Sequence, residues 1–598
     1  MTLIQLLITL IFLVFFIELL CRNTFTSILN WIKGYSFYFY ANIFSLWCVL
    51  SIFIFITNNS KISILALSSI ALILGYVNKY KFRFRGDPLF PWDLKLKKES
   101  SNMSSYIKDF ETIKDIITGI FILSLIYVIC PNISFSIITR LLCLFLSLIF
   151  FTLILWRNLF ASKLLFNVSG LNNHLLDQHK FYSSNGFVLA FLLNIKDYFI
   201  PKINNHEKNK FTSNLKKNDI ENKSSEKKPN TIVIMNESFW DPTLIKTLEF
   251  SKELTPTLNK LRETSFFGYM VSPEFGGGTS NIEFEILTGN SMYFLPTGSM
   301  AFQSYLRKPV ESIPYELKKI GYDTIGIHSY ERWFWKRENA YDLMGFDKFI
   351  SCESFKNPEV KGLYISDMEF SKKIIEVYEN SKNPLFLYGV TMQNHGPHDG
   401  SRYKKFDINV KAPLNNKALG ELKSYSQGIH DADKALKYLI DYFKNVKEPT
   451  NIVFFGDHLP MLGKNFSTFV ECGYIKNNNP TSWSYEEKLK MVSTPFLMWS
   501  NYKNEKKDLG HISACSIGCK ILESISLEPS PYFRFLNELY KKYPVLCKRV
   551  PQIFKTAKDT KDFEELTEKY KQLQYNQLFG QDIDTSITAA NDNLPFFN

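Results

Sequence analysis

Five apolar runs lie within the first 156 residues, at 3–20, 37–56, 62–77, 116–130 and 133–156. A helix needs about 20 apolar residues to cross a bilayer, and a lipid-exposed backbone must satisfy its own hydrogen bonds. The first, second and fifth runs fit that length best; the third and fourth are short. No basic stretch precedes the first run and no clear small-residue cleavage site follows it, so it reads as a retained anchor and not a signal peptide. The expectation is a five-helix transmembrane domain over residues 1–156.

Charge divides the chain at the same place. Residues 1–230 carry 25 Lys+Arg against 13 Asp+Glu, while residues 231–598 carry 45 of each. The net charge of +12 therefore lies beside the membrane segment, where basic residues favour anionic headgroups. Nucleic acid is the rival reading of basicity, and no nucleic-acid motif accompanies it. Within 157–200, "NGFVLAFLLNIKDYF" is amphipathic and too short to span, so it is expected to lie along the headgroups. Residues 202–230 are polar and aperiodic, as a linker is. The nine cysteines show no paired C-x-x-C spacing, which points to apolar packing and not to zinc.

From residue 231 the pattern changes. Short apolar runs recur at 231–235, 324–328, 385–392, 451–456 and 494–499, with helical patterns between several of them. Buried strands alternating with helices predict an α/β sheet covered on both faces. The catalytic domain is expected over 231–525 and a helical tail over 526–598.

In such sheets ligands gather at the carboxyl ends of strands. Those ends carry Glu237, His328, His395 with His398, and Asp457 with His458. A single acid or imidazole there is usually a cap or a turn residue. Four strand ends doing the same is a pattern of metal ligation or proton transfer. The stretch "SPEFGGGTSNIEFEILTG" adds a nucleophile. Gly276, Gly277 and Gly278 allow a close backbone approach, and Thr279 follows at the start of a predicted helix. Such an end attracts anions, and a hydroxyl beside a metal loses its proton more easily.

Taken in order, "MNESFWDP", "GGGTSNIEFE", "HSYERWFWKRENAYDLMGFDKF", "QNHGPH" and "FGDH" resemble the lipoteichoic acid synthase family, sulfatase-like phosphoglycerol transferases of the alkaline phosphatase superfamily. The likeness covers most of 180–500, and more loosely the apolar runs, "FRGDPLFPWDL" at 84–94 and the tail "YKQLQYNQLFG". It implies a mixed sheet flanked by helices, and Mn²⁺, with Mg²⁺ as the alternative, on residues matching Glu237, Thr279, Asp457 and His458. It implies that Thr279 attacks phosphatidylglycerol, releasing diacylglycerol and leaving a glycerophospho-threonine. Arg337 would hold the phosphate or glycerol, His395 would contact substrate or move a proton, and Trp335 and His328 would line the glycerol pocket. The acceptor would be an envelope glycan or a polyglycerolphosphate chain. The chain lacks a C-x-P-x-R arrangement, so the modified nucleophile of a true sulfatase is not available.

The resemblance also implies a bacterial inner-membrane protein with its catalytic domain outside. Loop 78–115, rich in Lys and Arg, would then lie outside as well, against the positive-inside bias. Binding of anionic lipid by that loop would reconcile the two. Two rival readings remain: a phosphoethanolamine transferase, which shares the metal and threonine logic, and a non-catalytic module that binds anionic lipid or polymer.

Overall fold

The computed structural model describes residues 2–22, 24–85, 87–95, 110–155, 178–198, 228–554 and 556–580. The expected linker at 202–230 lies almost wholly outside the described residues, as do 156–177, the 96–109 part of the basic loop and the last 18 residues of the tail. The chain forms two compact units, Met1–Pro201 with Pro296–Ser299, and Lys202–Leu295 with Met300–Asn598.

The first unit is helical: α1 (Thr2–Arg22), α2 (Phe25–Gly34), α3 (Ser36–Thr57), α4 (Ser60–Arg85), α5 (Phe110–Ile129), α6 (Ile137–Leu155), α7 (Gln178–Asn185) and α8 (Phe187–Tyr198). Among the described residues four stretches are long and apolar enough to cross a membrane: Ile4–Arg22, Ser36–Thr57, Ser60–Arg83 and Ile137–Ile154. The third expected run is thus not short, because its helix continues through the basic sequence after Val77. The fourth expected run falls on α5, whose Ile116, Ile120, Phe121 and Val128 are exposed. The fifth expected run falls on α6, which starts at Ile137 after an irregular stretch over 131–136.

Helix α8 corrects the expectation of a surface-lying helix. Val188, Leu189, Ala190 and Leu193 are buried in the apolar core with Leu13, Ile17, Ile43 and Leu46. At 12 residues α8 is too short to span, and its buried first turn needs partners. Polar side chains of the apolar runs supply them. Glu18 accepts from the Phe187 amide at 2.6 Å, and Asn42 Oδ1 accepts from that of Leu189 at 2.9 Å. Asn42 Nδ2 donates to Asn185 O at 2.7 Å, and Arg22 Nη2 to Ser183 O at 2.7 Å. Gly186, at φ +79°, makes the turn between α7 and α8; a Cβ there would meet Asn42, Glu18 and Trp31 within 3 Å. Residues 87–94 of the "FRGDPLFPWDL" segment are also folded. Asp93 caps the Phe90 amide at 2.7 Å and pairs with Lys81 at 2.6 Å, while Lys79 pairs with Asp115 at 2.6 Å. Two cations of the basic loop are therefore already matched by carboxylates.

The second unit is built on strands β1 (Asn230–Asn236), β2 (Glu249–Phe250), β3 (Phe266–Val271), β4 (Asp323–His328), β5 (Lys348–Ile350), β6 (Val360–Lys361), β7 (Tyr364–Ile365), β8 (Leu385–Val390), β9 (Val410–Lys411), β10 (Thr450–Gly456), β11 (Ser493–Ser500) and β12 (Lys507–Ser513). Eight form one sheet in the order β12-β3-β11-β10-β1-β8-β4-β5. The neighbours from β10 to β5 pair in parallel, and β11 runs antiparallel to both β10 and β3. The sheet is mixed because of β11. Strands β1, β8 and β10 are buried at every residue, which suits a sheet covered on both faces.

Helices α9 (Thr279–Thr288), α10 (Arg337–Leu343), α11 (Asp367–Asn380), α12 (Asn416–Phe443), α13 (Ala514–Ser524), α14 (Pro531–Lys542) and α15 (Ala557–Phe579) complete the frame. The tail packs on this unit. Gln574 of α15 accepts from the Ser291 amide at 2.6 Å and donates to its carbonyl at 3.0 Å, and Leu536 of α14 sits against Gly289. Both contacts hold the turn that ends α9.

Candidate active site

Parallel strands β1, β8, β4 and β10 bring their carboxyl ends to one edge of the sheet. Beyond β1 the chain turns at Ser238, whose φ is +52°, and this aims Glu237 inward. Gly456 closes β10 where no side chain fits: a Cβ would lie 1.8 Å from Phe239 O. Asp457 and His458 follow at once. Glu237 Oε, Asp457 Oδ and the His458 ring nitrogen all lie within 4.8 Å of one another, and all three residues are buried.

The three glycines before Thr279 have φ of +66°, +146° and +90°, conformations that L side chains rarely adopt. The turn they make sets Thr279 at the first position of α9. Its hydroxyl lies 2.9 Å from Asp457 Oδ2 and 3.5 Å from Glu237 Oε2. The cradle is built largely from backbone. Asp457 Oδ1 accepts from the amides of Ser238 and His458 at 2.7 and 2.9 Å, and Ser238 Oγ donates to Glu237 Oε1 at 2.8 Å.

His458 Nδ1 faces Leu459 O at 3.0 Å, which leaves Nε2 buried without a hydrogen-bond partner, 3.3 Å from Asp457 Oδ2 and 3.8 Å from Glu237 Oε1. Burial, then the charge of Asp457, pushes the Glu237 carboxyl up to about 8. Two buried carboxylates and an unpartnered imidazole nitrogen aimed at one point fit a divalent cation: oxygen ligands suit Mg²⁺ or Mn²⁺, and nitrogen favours Mn²⁺.

Arg337 heads α10 after two consecutive left-handed residues, Trp335 at φ +59° and Lys336 at +51°. That turn buries Trp335 and Arg337 and leaves Lys336 exposed. Arg337 Nη2 and Nε contact Glu283 of α9 at 2.7 and 2.9 Å, and Tyr341 OH donates to Glu283 at 2.6 Å. Arg337 Nη1 is buried with no partner. Burial works against its charge, and Glu283 holds the guanidinium above its ordinary range.

His328, closing β4, turns Nδ1 to Val390 O at 3.0 Å and leaves Nε2 buried and unpartnered. Burial, reinforced by Arg337, holds its ring well below the usual imidazole range, so it is neutral. His395 faces Tyr364 OH at 3.4 Å, and burial lowers it too. Its loop is braced by Arg402, which donates to the carbonyls of His395 and Pro397 at 2.7 Å each and to that of Gln393. His398 lies buried against Tyr425, ring centroids 5.1 Å apart.

The fold thus joins Glu237, Thr279, Asp457 and His458 in one cluster. Among the described residues, Arg337, His328, Trp335 and His395 make no direct hydrogen bond to that cluster. Arg337 acts on Glu237 and Asp457 on His395 through charge. Sequence reasoning missed Glu283, Tyr341 and Arg402. Glu283 was findable, because it lies four residues after Thr279 on the same face of a predicted helix. Nothing local in the sequence marks Arg402.

The sulfatase family pattern matches residues 229–524. The "Putative cyclic beta-1,2-glucan modification protein" of Rhizobium meliloti is 35% identical over 412 residues, 68% of this chain and 63% of that protein. Lipoteichoic acid synthase 1 of Bacillus subtilis is 30% identical over 262 residues, 41% of this chain and 39% of that one. In structure the chain is similar to the Streptococcus pyogenes phosphoglycerol transferase GacH in complex with sn-glycerol-1-phosphate, with a TM-score of 0.50 and 24% identity over 59% of this chain and 87% of that one. The chain spans less than two thirds of the length of the curated relatives it matches. A sulfatase-family pattern over residues 229–524, helices long and apolar enough to cross a membrane, and these relatives make the chain similar to membrane sulfatase-like proteins such as the lipoteichoic acid synthases.

Proposed function

We propose that the chain transfers phosphoglycerol from phosphatidylglycerol to an envelope acceptor by way of Thr279. The observation that carries this reading is the buried convergence of Thr279, Glu237, Asp457 and His458 behind a three-glycine turn. A divalent ion, manganese with magnesium as the alternative, held by these four residues would lower the hydroxyl's pKa and offset the phosphate's charge. Thr279 Oγ forms a bond to phosphorus, and the bond from phosphorus to the diacylglycerol oxygen breaks. The proton given up by Thr279 ends on that oxygen, with His395 in the moving role. An acceptor hydroxyl then attacks, its oxygen–phosphorus bond forms, and the proton returns to Thr279 as the enzyme bond breaks.

Arg337 offers its unpaired Nη1 to the phosphate, and neutral His328 with Trp335 lines the glycerol pocket. For the acceptor, the glucan-modifying relative favours an envelope glycan, and the lipoteichoic acid synthase a polyglycerolphosphate chain. A lipid donor and an envelope acceptor put the catalytic unit on the outer side of a bacterial inner membrane.

The test is diacylglycerol release from fluorescent phosphatidylglycerol by the full-length protein with Mn²⁺. Release that needs both the metal and Thr279 is the expected outcome. Turnover of phosphatidylethanolamine alone would replace the headgroup in this reading. Turnover of neither lipid by metal-loaded protein would leave a binding module.

A further inference from the structure

We infer that Glu283, with Tyr341, is the positioning residue for Arg337, fixing which edge of the guanidinium is offered to the donor phosphate. The inference rests on the reading of Arg337 as a phosphate ligand. A guanidinium carries five N–H groups in one plane. Glu283 occupies the Nε side of that plane, through Nε at 2.9 Å and Nη2 at 2.7 Å. Nη1 and the outward hydrogen of Nη2 remain, the end-on edge that grips an oxyanion with two parallel bonds.

The free edge is not at the surface. Arg337 is 1% exposed and Nη1 has no protein partner, a costly state in a folded core unless something else binds there. The carboxylate that fixes the plane is fixed in turn. Glu283 is 0% exposed and receives the Tyr341 hydroxyl at 2.6 Å, from one helical turn beyond Arg337. Glu283 and Thr279 lie four apart on α9, so one rigid helix carries the nucleophile and, a turn later, the group that aims the guanidinium. Their spacing cannot drift independently. No conformation of Arg337 alone would secure that, because a free arginine side chain samples many rotamers.

The pair has no other evident task. Two buried charges joined to each other contribute little net stability compared with apolar packing of equal volume. A buried ion pair that leaves one donor edge unmatched is the arrangement expected where orientation matters.

The experiment uses the full-length protein in detergent with Mn²⁺ and inorganic phosphate as the probe, an anion common to every headgroup. Phosphate and Mn²⁺ affinities are measured for wild type, Glu283→Gln and Tyr341→Phe. Glu283→Gln is expected to weaken phosphate about tenfold or more, the scale of a lost charge-assisted contact, while Mn²⁺ affinity stays within about twofold. Tyr341→Phe keeps the ion pair and is expected to weaken phosphate about threefold, again with Mn²⁺ unchanged. It decides the matter if Glu283→Gln does not fold. Wild-type phosphate affinity in Tyr341→Phe, or parallel loss of phosphate and Mn²⁺ binding, would overturn the inference. So would a wild type that binds no phosphate. Failure to release diacylglycerol from phosphatidylglycerol would count against the proposed donor and leave this result standing.

Discussion

The second unit buries two kinds of acid: Glu283 on one side, and Glu237 with Asp457 on the other. Glu283 is fully buried beside a guanidinium and a phenol, and every oxygen it has is engaged. Glu237 and Asp457 are as deeply buried, and among the described residues only the His458 ring pairs with them, at 3.8 and 3.3 Å, with no lysine or arginine; the Glu237 carboxyl rises to about 8. Glu283 shows what a chain does to bury a charge that holds another side chain in place: it brings an opposite charge with it. Glu237 and Asp457 show what it does for a ligand: it leaves the compensation to come from outside. The difference separates a group that positions a neighbour from one that awaits a ligand more sharply than burial does, since all three carboxylates are buried.

The largest effect should come from dividing the matched pair. Arg337→Met leaves Glu283 charged and uncompensated, and is expected to cost about 3–5 kcal/mol in denaturant melts. Arg337→Met with Glu283→Leu should recover most of that loss, because the desolvation penalty of both charges is then gone. Turnover would stay low in both. A double variant no more stable than the single one would mean that the pair is not coupled, and the contrast with Glu237 would lose its first half.

The unmatched acids should behave in the opposite way. Mn²⁺ at about a hundred times its Kd should raise wild-type stability by roughly 2.7 kcal/mol, since it binds the folded state only. Asp457→Asn should abolish that gain and, without metal, should leave the protein at least as stable as wild type. Mutual repulsion of the two carboxylates is what the substitution removes. A metal-free Asp457→Asn protein that melts well below wild type would show that Asp457 serves its amide contacts with Ser238 and His458 more than a cation.

Much of this was legible in the chain. Glu237, Thr279, Asp457 and His458 announce themselves by following apolar runs or a glycine cluster, because parallel strands deliver whatever ends them to one edge. The helical unit was less readable. Glu18 and Asn42 look like defects in apolar runs until α8 supplies the amides that they cap, and those amides lie 169 and 147 residues away. Hydropathy counts residues along the chain and is blind to a buried short helix that must be satisfied from its neighbours. The same limit hid Arg402, whose three carbonyl contacts depend on the fold of the 393–397 loop and on nothing in its own sequence surroundings.

A third buried acid tests the contrast by degree. Glu285, two residues beyond Glu283 on α9, has hydrogen-bond donors but no cation: Ser291 Oγ at 3.0 Å and the Met292 amide at 2.7 Å. Burial pushes its carboxyl up to about 7, against about 8 for Glu237, with those donors pulling the other way. A raised folded-state value means that the folded protein keeps this proton while the unfolded chain loses it. The stability it brings is complete below about pH 4.5 and is lost as pH rises through about 7. Glu285→Gln keeps an acceptor for both donors and cannot ionise. Metal-free stability, taken as the difference between wild type and variant at each pH, isolates this group from Glu237. The variant should gain on wild type by roughly 3 kcal/mol between pH 4.5 and 8, the order that such a shift carries. A difference that stays flat across that range would mean that donors alone neutralise a buried carboxylate here, and that the missing cation is not what sets Glu237 and Asp457 apart.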